Sequence, residues 1–146
     1  MIGRSVFVAA LAWICSATFC VAADSKGVKK FTADDFIEIQ QLYAAYAHAL
    51  DKGEGEKFAA TWVEDGEFTG GRGPGRGAEV RTPTKGKEGL TRMGSRSGTR
   101  HFVTNLIITP TPEGAKGTCY LLLFNARNIP TTITETAIYD DTLVKT

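Results

Sequence analysis

Apolar residues in "FTADDFIEIQQLYAAYAHALDKG" recur every three or four positions, at Phe36, Ile39, Tyr43, Tyr46 and Leu50, which is the period of a helix with one buried face. The limits of that helix are also written in the sequence. Thr32 is a natural N-cap with Asp35 three residues on, Phe31 and Phe36 are spaced as a hydrophobic staple, and Gly53 supplies the stop. A second, shorter helical stretch, "EGEKFAATWVEDG", is expected to bring Phe58, Trp62 and Val63 to the same core before Asp65-Gly66 turns the chain. "EFTG" then reads as a short strand.

The last third changes period. "RHFVTNLIIT", "AKGTCYLLLFNA" and "TITETAIYDDTLVKT" are rich in Val, Ile, Thr, Tyr and Leu, and "PTPEG" separates the first two as a turn, so two antiparallel hairpins are expected. Strict alternation along the first run puts His101, Val103, Asn105 and Ile107 on one face, and Phe102, Thr104, Leu106 and Ile108 on the other. Helices first and a meander afterwards predict an α+β domain in which a curved antiparallel sheet wraps round the long N-terminal helix.

Two segments fall outside this pattern. Residues 1–23 carry one charge, Arg4, followed by "SVFVAALAWICSATFCV" and the small-residue end "VAA", the form of a secretory signal peptide cleaved after Ala23. An uncleaved N-terminal anchor is the competing reading, because the apolar run is long for a signal. Large residues precede Cys15 and Cys20, which argues against a lipid anchor. A secreted or periplasmic protein follows, with a polar lead at 24–30 and one domain at 31–146. Residues 69–100 hold nine glycines, eight basic residues and two acids. Their readings are a loop that closes over the site, with a short helix around Lys87 to Met93, a solvated loop, or an arginine-glycine tract for an anionic surface. The tract lacks aromatic residues for stacking on bases.

Charge and cysteine content narrow the classes. The chain has 17 basic and 16 acidic residues; removing residues 1–23 takes only Arg4 and leaves equal numbers, which disfavours a nucleic-acid binder driven by bulk charge. Cys119 is then the sole cysteine, so no internal disulfide can form, and its setting "TCYLLLF" reads as a buried strand thiol. Two histidines without an H-x-H or H-E-x-x-H spacing give a metal site little support. "GGRGPGRG" lacks the lysine-serine ending of a phosphate loop, and no cofactor is implied.

"IQQLYAAYAHALDKGEGEKFAATWVEDGEF", then "RHFVTN" about thirty residues later, then "YLLLF", together resemble the SnoaL-like branch of the nuclear-transport-factor-2-like superfamily. The likeness is nearest to scytalone dehydratase, bile-acid dehydratases and the small subunits of ring-hydroxylating dioxygenases. It implies a cone, with helices packed into a strongly bent sheet around an apolar pocket, often in a homodimer, with a small hydrophobic molecule as ligand. In the dehydratases an aspartate ending the first helix orients a histidine on the strand after the lid; the matching residues are Asp51 and His101. The implied activity is a dehydratase or isomerase, and the alternative is a non-catalytic binding or assembly subunit.

The chemistry is coherent without the family. Dehydration or isomerisation beside a carbonyl needs a base for an α-proton and an acid for the leaving oxygen, and one imidazole held by a carboxylate can serve as both. Tyr43, Ala47 and Asp51 form one row at spacings of four, so Tyr43 or Tyr46 could donate to a substrate oxygen; Trp62 and Asn125 are further pocket candidates. His48 lies off that row and reads as a surface or interface residue. Two departures from the dehydratase pattern stand out. Asn125 occupies the place of a second histidine and cannot act as a base. Members also continue past "LVKT" into a last strand, so an open sheet edge is expected, read either as a fragment or shifted reading frame or as an edge that a partner chain covers.

Overall fold

The computed structural model describes residues 31–70 and 82–146. The expected signal peptide, the polar lead and residues 71–81 of the Gly/Arg-rich tract lie outside the described residues.

Helix α1 (Ala33–Lys52) begins as its sequence dictates. Thr32 accepts from the Asp35 backbone N–H at 3.2 Å, while the Asp35 carboxylate accepts the Thr32 N–H at 2.7 Å, a capping box of the kind that stabilises a helix by about 1 kcal/mol. Phe31 and Phe36 meet edge to face at 4.8 Å, completing the staple. At the other end Gly53 turns left-handed, φ 71°, and its N–H returns to the Ala49 and Leu50 carbonyls. One expectation fails on α1: Phe36 stays 41% exposed, because its ring is used by the staple and not by the core.

Helix α2 (Gly55–Ala60) is shorter than its sequence pattern suggested, and Trp62 and Val63 fall in the turn beyond it. Val63 is exposed there and does not reach the core. Phe58, on the buried side of α2, is fully enclosed with Ala49, Leu50, Ala59 and Leu90, and burying one such ring contributes roughly 2–3 kcal/mol. Strands β1 (Glu67–Phe68) and β2 (Thr84–Lys85) make a short antiparallel pair tied by a Lys85–Glu67 ion pair at 2.7 Å. Helix α3 (Gly86–Gly94), the helix expected around Lys87, supplies Leu90 to the core. The Lys87 ammonium donates to the Ala59 and Trp62 carbonyls, capping the end of α2 with a cation.

Three long strands, β3 (Thr99–Pro110), β4 (Gly114–Asn125) and β5 (Thr132–Val144), form an antiparallel sheet in the order β3-β4-β5, so the α+β class expected from the sequence holds. α1 packs against β3. The inner face carries Ala115, Cys119 and Leu121, all buried. The outer face leaves Phe102, Ile107, Tyr120 and Ile138 exposed.

Strict alternation along β3 does not hold. Asn105 adopts φ 56°, the left-handed region that Asn enters more readily than most residues, and the register with β4 slips between Thr104 and Ile107. His101 and Val103 face inward before this bulge, and Leu106 and Ile108 after it. Asn105 and Ile107, expected to share the histidine's face, are exposed instead.

Candidate active site

Asp51 lies in the last turn of α1 and His101 is the third residue of β3, so helix packing on the strand brings together two side chains fifty residues apart. Asp51 Oδ1 is 2.7 Å from His101 Nδ1, and the two carboxylate oxygens also accept the His101 backbone N–H at 3.1 and 3.2 Å. A carboxylate only accepts, so the ring proton sits on Nδ1 and Nε2 is left as the basic nitrogen. Among the described residues Nε2 has no hydrogen-bond partner. The side chains are 11% and 13% exposed, a setting that strengthens the charge-assisted bond. Arg100 holds the same junction from outside, donating to the Asp51 carbonyl at 3.3 Å.

Tyr46 joins this pair to the rest of the interior. Its ring meets His101 edge to face at 6.4 Å, Tyr139 at 6.0 Å and Phe58 at 5.2 Å. Beyond it opens a cleft of about 480 Å³ between α1, the turn after α2, β1 and β5, lined by Tyr43, Tyr46, Trp62, Phe68, Tyr139 and Asp141 among others. A second groove of about 490 Å³ shares Leu42, Trp62, Val63 and Leu143 with it and runs on to Phe31 and Pro112. His101 borders Tyr46, and neither it nor Asp51 is in the lining of either space.

The remaining predicted residues take definite places. Tyr43 is buried, and its hydroxyl donates to Asp141 Oδ2 at 2.6 Å. That hydroxyl lies against Gly117, where any side chain would overlap it. Burial, then the Asp141 carboxylate, push the Tyr43 phenol far above its ordinary range. Tyr46 donates to the Tyr139 hydroxyl at 3.3 Å and is likewise raised, chiefly by burial. Trp62 lines both spaces, and its buried indole N–H has no hydrogen-bond partner among the described residues. Asn125 is set apart from these. It ends β4 and its Oδ1 accepts the Arg127 N–H at 3.0 Å, so its side chain serves the turn into β5. His48 is exposed, as expected.

Sequence reasoning missed Tyr139 and Asp141. Both stand in a run legible only as a strand, and only the register shows that Asp141 pairs opposite Gly117, under the Tyr43 hydroxyl. Burial raises the Asp141 carboxyl above the usual range, against the lowering effect of Tyr43, and pushes Tyr139 up to about 12. Cys119, opposite Tyr139 in the ladder, is buried, and its thiol is pushed up to about 11 by desolvation. No group of three His, Cys, Asp or Glu side chains suited to a metal occurs among the described residues.

A helical layer on a bulged antiparallel sheet, with an Asp–His pair held at the junction of α1 and β3, is an arrangement of the α+β class. Residues 32–146 match the SnoaL-like domain, and the chain belongs to that family. A protein from Catenulispora acidiphila is 30% identical, with TM-score 0.63 over 78% of this chain and 82% of that one. A structure from that organism in complex with S-DNPA, also 30% identical with TM-score 0.63, is matched over 79% of this chain and 84% of its own. A protein of unknown function with a cystatin-like fold from Nostoc punctiforme is 28% identical, TM-score 0.62, covering 77% and 81%. A scytalone-dehydratase-like protein from Novosphingobium aromaticivorans, 20% identical with TM-score 0.56 over 79% of each chain, is similar in fold. No curated protein matches the chain.

Proposed function

We propose that the protein is a cofactor-independent dehydratase or isomerase acting on a small, apolar hydroxy-carbonyl compound, with Asp51 and His101 as its acid–base pair. The observation that carries this reading is the 2.7 Å contact between Asp51 Oδ1 and His101 Nδ1. His101 Nε2 takes the α-proton of the substrate, the C–H electrons form the new C=C bond, and the C–O bond breaks. The imidazolium, balanced by Asp51, returns the proton to the departing hydroxyl, which leaves as water. In the isomerase variant the same proton returns to carbon.

The test separates proton abstraction from the identity of the leaving group. 2-Tetralone in D₂O exchanges its α-protons visibly by NMR. Exchange above buffer is expected with the parent and about 100-fold less with His101→Gln, since general base catalysis typically contributes 10²–10⁴. Equal exchange by the two proteins, or none above buffer, would remove the basis for the reading.

A non-catalytic pocket or assembly subunit is the second reading, favoured by the absence of His101 from the lining of either space. The complex of a relative with S-DNPA supports small-molecule binding under both readings. The same proposal includes a homodimer covering exposed Phe102, Ile107, Tyr120 and Ile138, tested by sedimentation of a Phe102→Glu variant. It also includes export with cleavage after Ala23, tested by the mass of the secreted chain.

A further inference from the structure

Three phenols reach the cleft, and the hydrogen bonds commit two of them. Tyr43 donates to Asp141, which as a carboxylate can only accept, and Gly117 closes the other side of that hydroxyl. Tyr46 donates to Tyr139 and is walled by the rings of Phe58, Trp62, His101 and Tyr139. Tyr139 therefore receives a hydrogen bond at its oxygen and has its own proton uncommitted among the described residues. We propose that Tyr139 is the substrate-positioning donor of the cleft, its hydroxyl binding the carbonyl or hydroxyl oxygen of the ligand while Tyr46 supports it from behind.

The proposal deepens the reading of the cleft as the reaction site and rests on it. Accepting one bond polarises a hydroxyl and strengthens the bond it donates, so the Tyr46–Tyr139 pair is a better donor than a lone phenol. Tyr46 also adjoins His101, so an oxygen held by Tyr139 lies across one ring from the imidazole. This division of labour leaves Tyr43 and Asp141 to fix the wall.

The chain contains two tryptophans, Trp13 and Trp62, so in a Trp13→Phe background of the full chain the fluorescence reports Trp62, which lines the cleft. Two probes of nearly equal shape, 2-acetylnaphthalene and 2-isopropenylnaphthalene, differ in a carbonyl oxygen against a methylene. The ketone is expected to bind about five- to tenfold tighter, the worth of one net hydrogen bond. Tyr139→Phe is expected to erase that advantage and leave the hydrocarbon's affinity unchanged, while Tyr43→Phe keeps it. An undiminished preference in Tyr139→Phe overturns the proposal, as does failure of both probes to bind the parent. The infrared carbonyl stretch of the bound ketone in the parent gives a second measurement that needs no variant. It should lie below its value in hexane, and an unshifted band also overturns the assignment. His101→Gln should bind both probes like the parent, so loss of exchange activity with binding intact separates failure of the acid–base reading from failure of this one.

Discussion

Replacing Asp51 tests the junction of α1 and β3 directly. The carboxylate accepts the His101 ring N–H at 2.7 Å and its backbone N–H at 3.1 and 3.2 Å, in a place where both side chains are nearly enclosed. Hydrogen bonds to a charged acceptor contribute about 1.5–3 kcal/mol each, and Asp51→Ala strands two donors that water recovers only in part, so a loss of about 3 kcal/mol is expected. Asp51→Asn keeps one acceptor oxygen but turns an amide N–H₂ toward a donor, and about half that loss is expected. With a urea slope of about 2 kcal/mol/M, the midpoint falls by about 1.5 M for Asp51→Ala and about 0.7 M for Asp51→Asn. The slope itself should not change. In a cycle with His101→Ala the losses should fail to add, because the two side chains share one bond. An Asp51→Ala midpoint within about 0.3 M of the parent would refute the reasoning, since the carboxylate would then not be holding the strand.

Three further outcomes follow from the interior. Gly117→Ala forces a methyl onto the Tyr43 hydroxyl and should destabilise by about 1–3 kcal/mol, with Tyr43→Phe, itself destabilising alone, restoring part of the loss when combined; thermal melts of the three variants check this. Asp141 has a raised carboxyl in the fold, so its charge opposes folding at neutral pH, and the opposition fades as pH falls below the folded value. Asp141→Asn, which still accepts from Tyr43, should therefore stabilise at pH 7 and lose that advantage in acid, read from denaturant midpoints at pH 7 and 3.5. The Cys119 thiol, buried and pushed up to about 11, should react with a maleimide at pH 8 only at the rate of global unfolding, and urea should accelerate labelling steeply.

The limits of the long helix were legible because their signals are local. Thr32, Asp35, Phe31 and Gly53 each act within one turn, and the structure uses each as the sequence suggests. The strands were legible as runs, but their faces were not. Asn105 breaks the alternation by a single backbone torsion, and one asparagine among Val, Thr and Leu permits that torsion without requiring it. The Asp51–His101 contact was reached through a family likeness and a helical row, whereas Asp141 and Tyr139 depend on strand register and so on contacts about a hundred residues apart. Phe36 and Val63 were misplaced for the same reason: periodicity tells which face a side chain is on, and packing decides whether anything covers that face.

The Asn105 bulge works on β3 as a phase shift. One residue inserted into a two-residue repeat lets a single strand present the histidine segment inward on one count and the Leu106–Ile108 segment inward on the other. The two halves of the strand can therefore accept substitutions on independent schedules. Forcing Asn105 into regular extended backbone would turn one half's apolar side chains to solvent, whereas deleting it would keep His101, Val103, Leu106 and Ile108 on one face and cost the strand only its bulge.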